Sequence, residues 1–107
     1  MKNFITASKA VSSSLPEVVQ ISDYNLFLKL SAEQEKTFTV PAGGNVLVFN
    51  CSAPFYVKVG ETVEIPTVDI TDGSAPELSP VAREVNPGDV IHVISANHAQ
   101  LTVGVYT

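Results

Sequence analysis

Tryptophan is absent from this sequence, cysteine and methionine occur once each, and charged residues fill only 16% of its 107 positions. Each scarcity excludes something. With Cys51 as the sole cysteine no intrachain disulfide can form, so nothing marks an oxidising compartment. No span approaches the roughly 20 apolar residues of a membrane helix. The opening "MKNFITASKAVSSS" holds no apolar stretch long enough for a secretory signal. The expectation is a soluble protein made in the cytoplasm, with no membrane partner. Basic residues are also few, six against eleven acids, giving a net charge of −5 and no basic cluster. Nucleic-acid binding through phosphates is therefore not expected. The charged fraction lies below the usual value of about 25%. Such a surface, rich instead in Ser, Thr and Asn, often meets other proteins.

What is present fits one domain, which at this length buries roughly 60–70% of the surface its unfolded chain exposes. The few charges are segregated. Residues 1–16 carry Lys2 and Lys9 and no acid, for +2. The remainder carries four basic residues against all eleven acids, for −7. Two segments so different in charge are expected to have different neighbours. The first segment also lacks a hydrophobic period: Phe4, Ile5, Val11 and Leu15 are scattered among Ser, Thr, Ala and Lys before Pro16 closes it. We read residues 1–16 as an extended N-terminal arm and residues 17–107 as a single β-body. Fixing the arm costs about 1–2 kcal/mol per residue in backbone entropy. Its four apolar side chains return only roughly 1.5–3 kcal/mol each. Its order must therefore come from backbone hydrogen bonds and a contact surface. The expectation is that another chain supplies them, with Phe4, Ile5, Val11 and Leu15 as the contacts.

From Pro16 onward the signal is β. "EVVQI" (17–21) and "NLFLKLS" (25–31) are apolar runs. "KTFTVP" (36–41), "FYVKVG" (55–60) and "ETVEIP" (61–66) alternate apolar with polar. "NVLVFNC" (45–51) is apolar on both faces, as in a central strand of packed sheets. "DVIHVIS" (89–95) and "QLTVGVYT" (100–107) close the chain. "PAGG" (41–44) and "NPGD" (86–89) read as turns. "SPVAREV" (79–85) fits either one helical turn started by Pro80 or a strand. Seven or eight short strands with turns between them predict an all-β antiparallel sandwich, jelly-roll-like. Its core is expected to hold Phe38, Val40, Leu47, Phe49, Phe55, Val57, Ile65, Val93, Val103 and Val105, with Cys51 on the face of Leu47 and Phe49.

No constellation of catalytic residues emerges. No nucleophile elbow is present, and Cys51 in "LVFNCS" reads as a small buried apolar residue. Asp69, Asp72 and Glu77 are carboxylates in one loop, but their spacing does not match a calcium loop, and Asp72-Gly73 is an ordinary turn dipeptide. His92 and His98 flank a turn without the third and fourth ligands that zinc needs. Gly43-Gly44 precedes no helix that could cradle a phosphate. Tyr24, Tyr56 and Tyr106 are too separated for a sugar platform and read as strand tyrosines. No enzyme activity, metal or cofactor is expected.

From residue 36 to the C-terminus the order of elements is distinctive. "FYVKVG" carries an aromatic pair. "IPTVDITDGSAPELSPVAREVNPGDVIHVISA" then holds a Thr-Asp-Gly turn, Glu-Leu-x-Pro and Pro-Gly. "AQLTVGVYT" ends on Thr-x-x-x-Tyr. This order resembles small β-sandwich virion proteins of tailed bacteriophages, above all capsid decoration (cement) or head-associated auxiliary proteins. The resemblance implies a homo-oligomer on the outside of the capsid, bound to the major capsid protein or other virion proteins. Asp72, Gly73 and Glu77 would lie in a loop against a neighbouring subunit. A tail or head-to-tail component is the alternative within structural proteins, and a carbohydrate-binding host-attachment module the alternative outside them.

Overall fold

Alternation of apolar and polar side chains sets the strands, and pairing sorts them into two layers. The fold is that of a computed structural model, described over residues 1–4, 8–9 and 18–107, with the backbone alone at 8–9 and 18–19. Two short strands, β1 (Ser8–Lys9) and β2 (Val18–Val19), pair antiparallel with each other. The body holds β3 (Asn25–Leu30), β4 (Lys36–Thr39), β5 (Val46–Cys51), β6 (Tyr56–Val59), β7 (Glu77–Leu78), β8 (Ala82–Glu84), β9 (Val90–Ile94) and β10 (Ala99–Tyr106). One four-stranded sheet runs β3-β10-β5-β8, the other β4-β9-β6-β7, and every ladder is antiparallel. The body is thus all-β and sandwich-like.

The core lies between the layers. Leu101, Val103 and Val105 of β10 are fully buried, facing the same way as Leu47 and Phe49 of β5. Ile91 and Val93 of β9 meet them from the other sheet, with Leu30, Val40, Phe55 and Val85 at the margins. The Phe49 and Phe55 rings lie 5.8 Å apart at 44°, a contact within the range of favourable aromatic pairs. Of the expected core, Val40, Leu47, Phe49, Phe55, Val93, Val103 and Val105 are buried. Phe38, Val57 and Cys51 are partly buried against it, and Ile65 is half-buried.

Three segments differ from the simple alternation reading. Residues 79–85, open between helix and strand, contain β8, which pairs with β5. Among the described residues of 17–21 only Val18–Val19 is a strand, and Ile21 is 89% exposed. Residues 61–66 form no strand, although Val63 is buried and Thr62 and Glu64 are exposed as alternation requires. After a turn at Gly60 this segment runs beside His92 and Lys58, on the outward side of the second sheet. None of the described ladders includes it. A side-chain carboxylate, that of Glu35, accepts the Val63 N–H at 2.7 Å instead.

The N-terminus is fastened to the end of the chain. Lys2 bridges Tyr106 in parallel, the Thr107 N–H donates to the Lys2 carbonyl at 2.7 Å, and the Phe4 N–H donates to the Thr107 carbonyl at 2.8 Å. The Phe4 ring stands edge-on to Tyr106 at 5.3 Å. The Tyr106 hydroxyl in turn donates to the Gln20 carbonyl at 2.6 Å. Residues 1–4 therefore lie on the chain's own body.

Gly44 marks a place where the layers leave no room. Its N–H closes the "PAGG" turn on the Pro41 carbonyl, and a Cβ there would come within 2.9 Å of a Val105 methyl and 3.0 Å of a Val40 methyl. Both valines are buried. We expect Gly44→Ala to destabilise the fold by about 1–3 kcal/mol through overpacking, and to lower the melting midpoint by at least about 4 °C. An unchanged calorimetric midpoint would contradict this packing.

Candidate functional site

The acidic loop is built by local hydrogen bonds. Asp72 Oδ1 accepts the Ser74 N–H at 3.0 Å and the Ser74 hydroxyl at 2.6 Å, while Gly73 takes φ +91°, a left-handed value suited to glycine. The Ser74 hydroxyl, and then its N–H, hold the Asp72 carboxyl below its ordinary range. Asp69 and Asp72 border one shallow depression with Thr71 and Ser74. Glu77 is not part of it. It opens β7 and pairs with the Arg83 guanidinium on β8, tying the edge of one sheet to the edge of the other. Among the described residues no three of His, Cys, Asp and Glu gather where they could hold a metal.

Behind that ion pair a cleft of about 330 Å³ opens between the layers. Phe49, Val57 and Ile91 form its floor, and Lys58, Glu77 and Arg83 form its rim. It exists because β7 and β8 are only two and three residues long, so neither edge closes over the core. A larger groove of about 570 Å³ lies at the end of the sandwich where the β3–β4, β5–β6 and β9–β10 connections meet. Lys29, Lys36 and His98 line it together with Ser52 and Gln100. Neither lysine has an ion-pair partner among the described residues. The two lysines thus gather positive charge at one end of an acidic chain, with no Phe, Tyr or Trp among the described residues of the groove.

The pairing that sequence reasoning missed is Glu35 with His92. The imidazole Nδ1 lies 3.3 Å from Glu35 Oε1 and is buried, but the approach does not meet hydrogen-bond geometry and Nδ1 has no partner. Glu35 Oε2 is already engaged by Val63. The Val63 N–H is the main cause that draws the Glu35 carboxyl below its ordinary value of 4.5; partial burial opposes it, and His92 adds to the lowering. Glu35 therefore fastens residues 60–66 to the sheet that carries His92. No local motif announces this, because Glu35, Val63 and His92 are far apart in sequence.

The remaining candidates are dispersed. His98 is exposed in the groove and His92 half-buried under residues 60–66, so the two histidines line different places. Cys51 ends β5, half-buried against the core. Tyr24 is 39% exposed, Tyr56 is half-buried, and Tyr106 is buried on the central strand β10 rather than at a sheet edge. Phe4 is half-buried against Tyr106, whereas Ile5, Val11 and Leu15 lie outside the described residues.

A carboxyl drawn below its unfolded value stabilises the fold fully above that value and loses the contribution as pH falls through the folded one. At pH 7, Glu35→Ala should cost about 1–3 kcal/mol by stranding the Val63 N–H, and Glu35→Gln should cost less because its amide oxygen can still accept. The gap between wild type and Glu35→Gln in urea unfolding should narrow as the pH drops below 4.5. A gap that is constant from pH 7 to about pH 3 would show that the charge on Glu35 contributes nothing.

Comparison of the chain with protein-family models, with curated proteins and with solved structures finds no match.

Proposed function

We propose that the body is a jelly roll and that the protein is a non-enzymatic structural subunit on the exterior of a tailed-phage capsid. The observation that carries the reading is the strand order. The eight body strands run β3-β10-β5-β8 and β4-β9-β6-β7, so the chain crosses between layers at every connection except β6 to β7. Two sheets wound in this way are the arrangement of double Greek-key rolls, an architecture used by viral capsid proteins, lectin domains and cupins. Fold alone does not choose among these. The resemblance of residues 36–107 to phage decoration proteins favours the first. Against a lectin-like role, no Phe, Tyr or Trp lines the large groove among the described residues, and Tyr106 is buried.

Attachment falls to the segment between the fastened N-terminus and β3. Phe4 is held by Thr107 and Gln20 by Tyr106, so the residues on either side of 5–19 are fastened to adjacent residues at the end of β10. Within 5–19, β1 and β2 form a two-stranded sheet, paired among the described residues with each other and with neither layer. Lys9, Ile5, Val11 and Leu15 belong to this segment, in which Lys9 and Glu17 balance in charge beside an acidic body. The partner is the major capsid protein or another virion protein, and the location is the capsid surface. Asp72 and Gly73 give the loop beside β7 its shape for a neighbouring subunit. Binding only the assembled lattice stabilises it by mass action.

The test uses phage particles stripped of this protein. Wild-type chain should co-sediment with them and raise the temperature at which they open. A variant with residues 5–17 replaced by a short Gly-Ser linker should keep its circular dichroism but bind at least about tenfold more weakly. Equal binding by that variant refutes the attachment role. Labelled protein found on tails, or only on host glycans, refutes the capsid reading.

A further inference from the structure

The edges of the two sheets are not equally protected. Exposed strand edges present unpaired N–H and C=O groups, and proteins blunt them by shortness, proline, bulges or charge. β7 and β8 are very short, and β4 is followed closely by Pro41. β3 is different: six residues, without Pro, Gly or a bulge, paired among the described residues only with β10.

Its free side can be read from the ladder. The Val105 N–H donates to the Tyr24 carbonyl at 2.8 Å. Bonding and non-bonding pairs alternate along an antiparallel ladder, so Leu26, Leu28 and Leu30 direct their backbone groups to β10. Asn25, Phe27 and Lys29 direct theirs away from it. Those same three residues have exposed side chains, and Phe27 is 64% exposed at the centre of the strand. Leu26 and Leu28 pack against the core but remain only partly buried, at an edge that no described strand covers.

We propose that β3 is a self-recognition edge: two copies pair antiparallel through residues 25–29 about a two-fold axis at Phe27, joining their first sheets into one. In this register Asn25 faces Lys29 of the second copy, Phe27 faces Phe27, and Lys29 faces Asn25. All three are positions whose backbone groups point outward, so each pair exchanges two N–H···O bonds. The intervening pairs set Leu26 against Leu28 of the second copy, closing the half-open margin of both cores. The two Phe27 rings meet on the outer face as a cross-strand aromatic pair. No like charges are opposed, since each lysine meets an asparagine. A two-fold contact requires such self-complementarity, and a six-residue strand with one aromatic at its centre supplies it. The inference stands apart from capsid attachment, because it concerns the isolated protein.

Sedimentation equilibrium of the purified chain should show a dimer at about 100 µM. Register is read by single cysteines in a Cys51→Ala background. Phe27→Cys should oxidise to a covalent dimer, since bonding-pair Cα atoms about 5.5 Å apart suit a disulfide. Asn25→Cys and Lys29→Cys should each crosslink poorly alone and well when mixed. Asn25→Asp and Asn25→Lys both lose the Asn25 side-chain bond to the Ser22 carbonyl. They set opposite charges against Lys29, so their dimer dissociation constants should differ roughly tenfold, with Asp the tighter. A monomer at that concentration, a higher oligomer, equal crosslinking at the three positions, or equal constants for the Asp and Lys variants would each overturn the proposal.

Discussion

The central position of β10 is the constraint on which the rest of the structure depends. It is the longest strand, and it pairs with β3 on one side and β5 on the other. Its inward residues Leu101, Val103 and Val105 are fully buried, and the other layer packs on them. Its last residues hold the N-terminus through Lys2, Phe4 and Gln20. Yet it comes last in the chain. The first sheet cannot be completed until residues 99–106 are placed between strands from near the start and the middle of the sequence. Pairings so distant in sequence carry a high loop-closure entropy before they return any energy, which makes folding slow relative to a helical domain of this size.

Residue patterns made the layers legible, because burial follows period two whatever the pairing. Leu47, Phe49 and Cys51 face inward together, and Thr37 and Thr39 face outward around Phe38. The same rule misassigned residues 61–66 as a strand. Val63 is buried there and Ile65 half-buried without a ladder, because side-chain burial does not report where the backbone hydrogen bonds go. The ambiguity at 79–85 had the same origin: Pro80 permits a helix start, and only the free edge of β5 made residues 82–84 a strand.

Local chemistry at the candidate sites was legible and distant chemistry was not. Asp72, Gly73 and Ser74 form a turn within three residues, so the sequence contains all of it. Glu77 was read as part of that loop. It instead reaches Arg83 across the gap between layers, a pairing that depends on β7 and β8 lying at corresponding edges. Glu35 and His92 meet because β4 and β9 are neighbours and because Glu35 immediately precedes β4. The gathering of Lys29, Lys36 and His98 likewise needs three connections to meet at one end of the sandwich.

The fastening of the N-terminus is close to energetic balance, and that follows from its size. Ordering four residues costs about 4–8 kcal/mol of backbone entropy. Against this stand two backbone hydrogen bonds at about 1 kcal/mol each. The half-buried Phe4 side chain returns roughly 1–1.5 kcal/mol and its edge-on contact with Tyr106 about 1 kcal/mol more. The terminal amino group lies 3.6 Å from Asp23, a partly exposed pair worth about 0–1 kcal/mol. These gains come close to the cost, and Asn3 adds a further interaction. Tyr106 does not share this balance, since its hydroxyl is bonded to Gln20 and its ring belongs to the buried end of β10. None of residues 1–4 belongs to the core cluster. A segment rooted by so little net energy can be rearranged by any surface that offers it even a few further contacts, without unfolding the sheets that carry it.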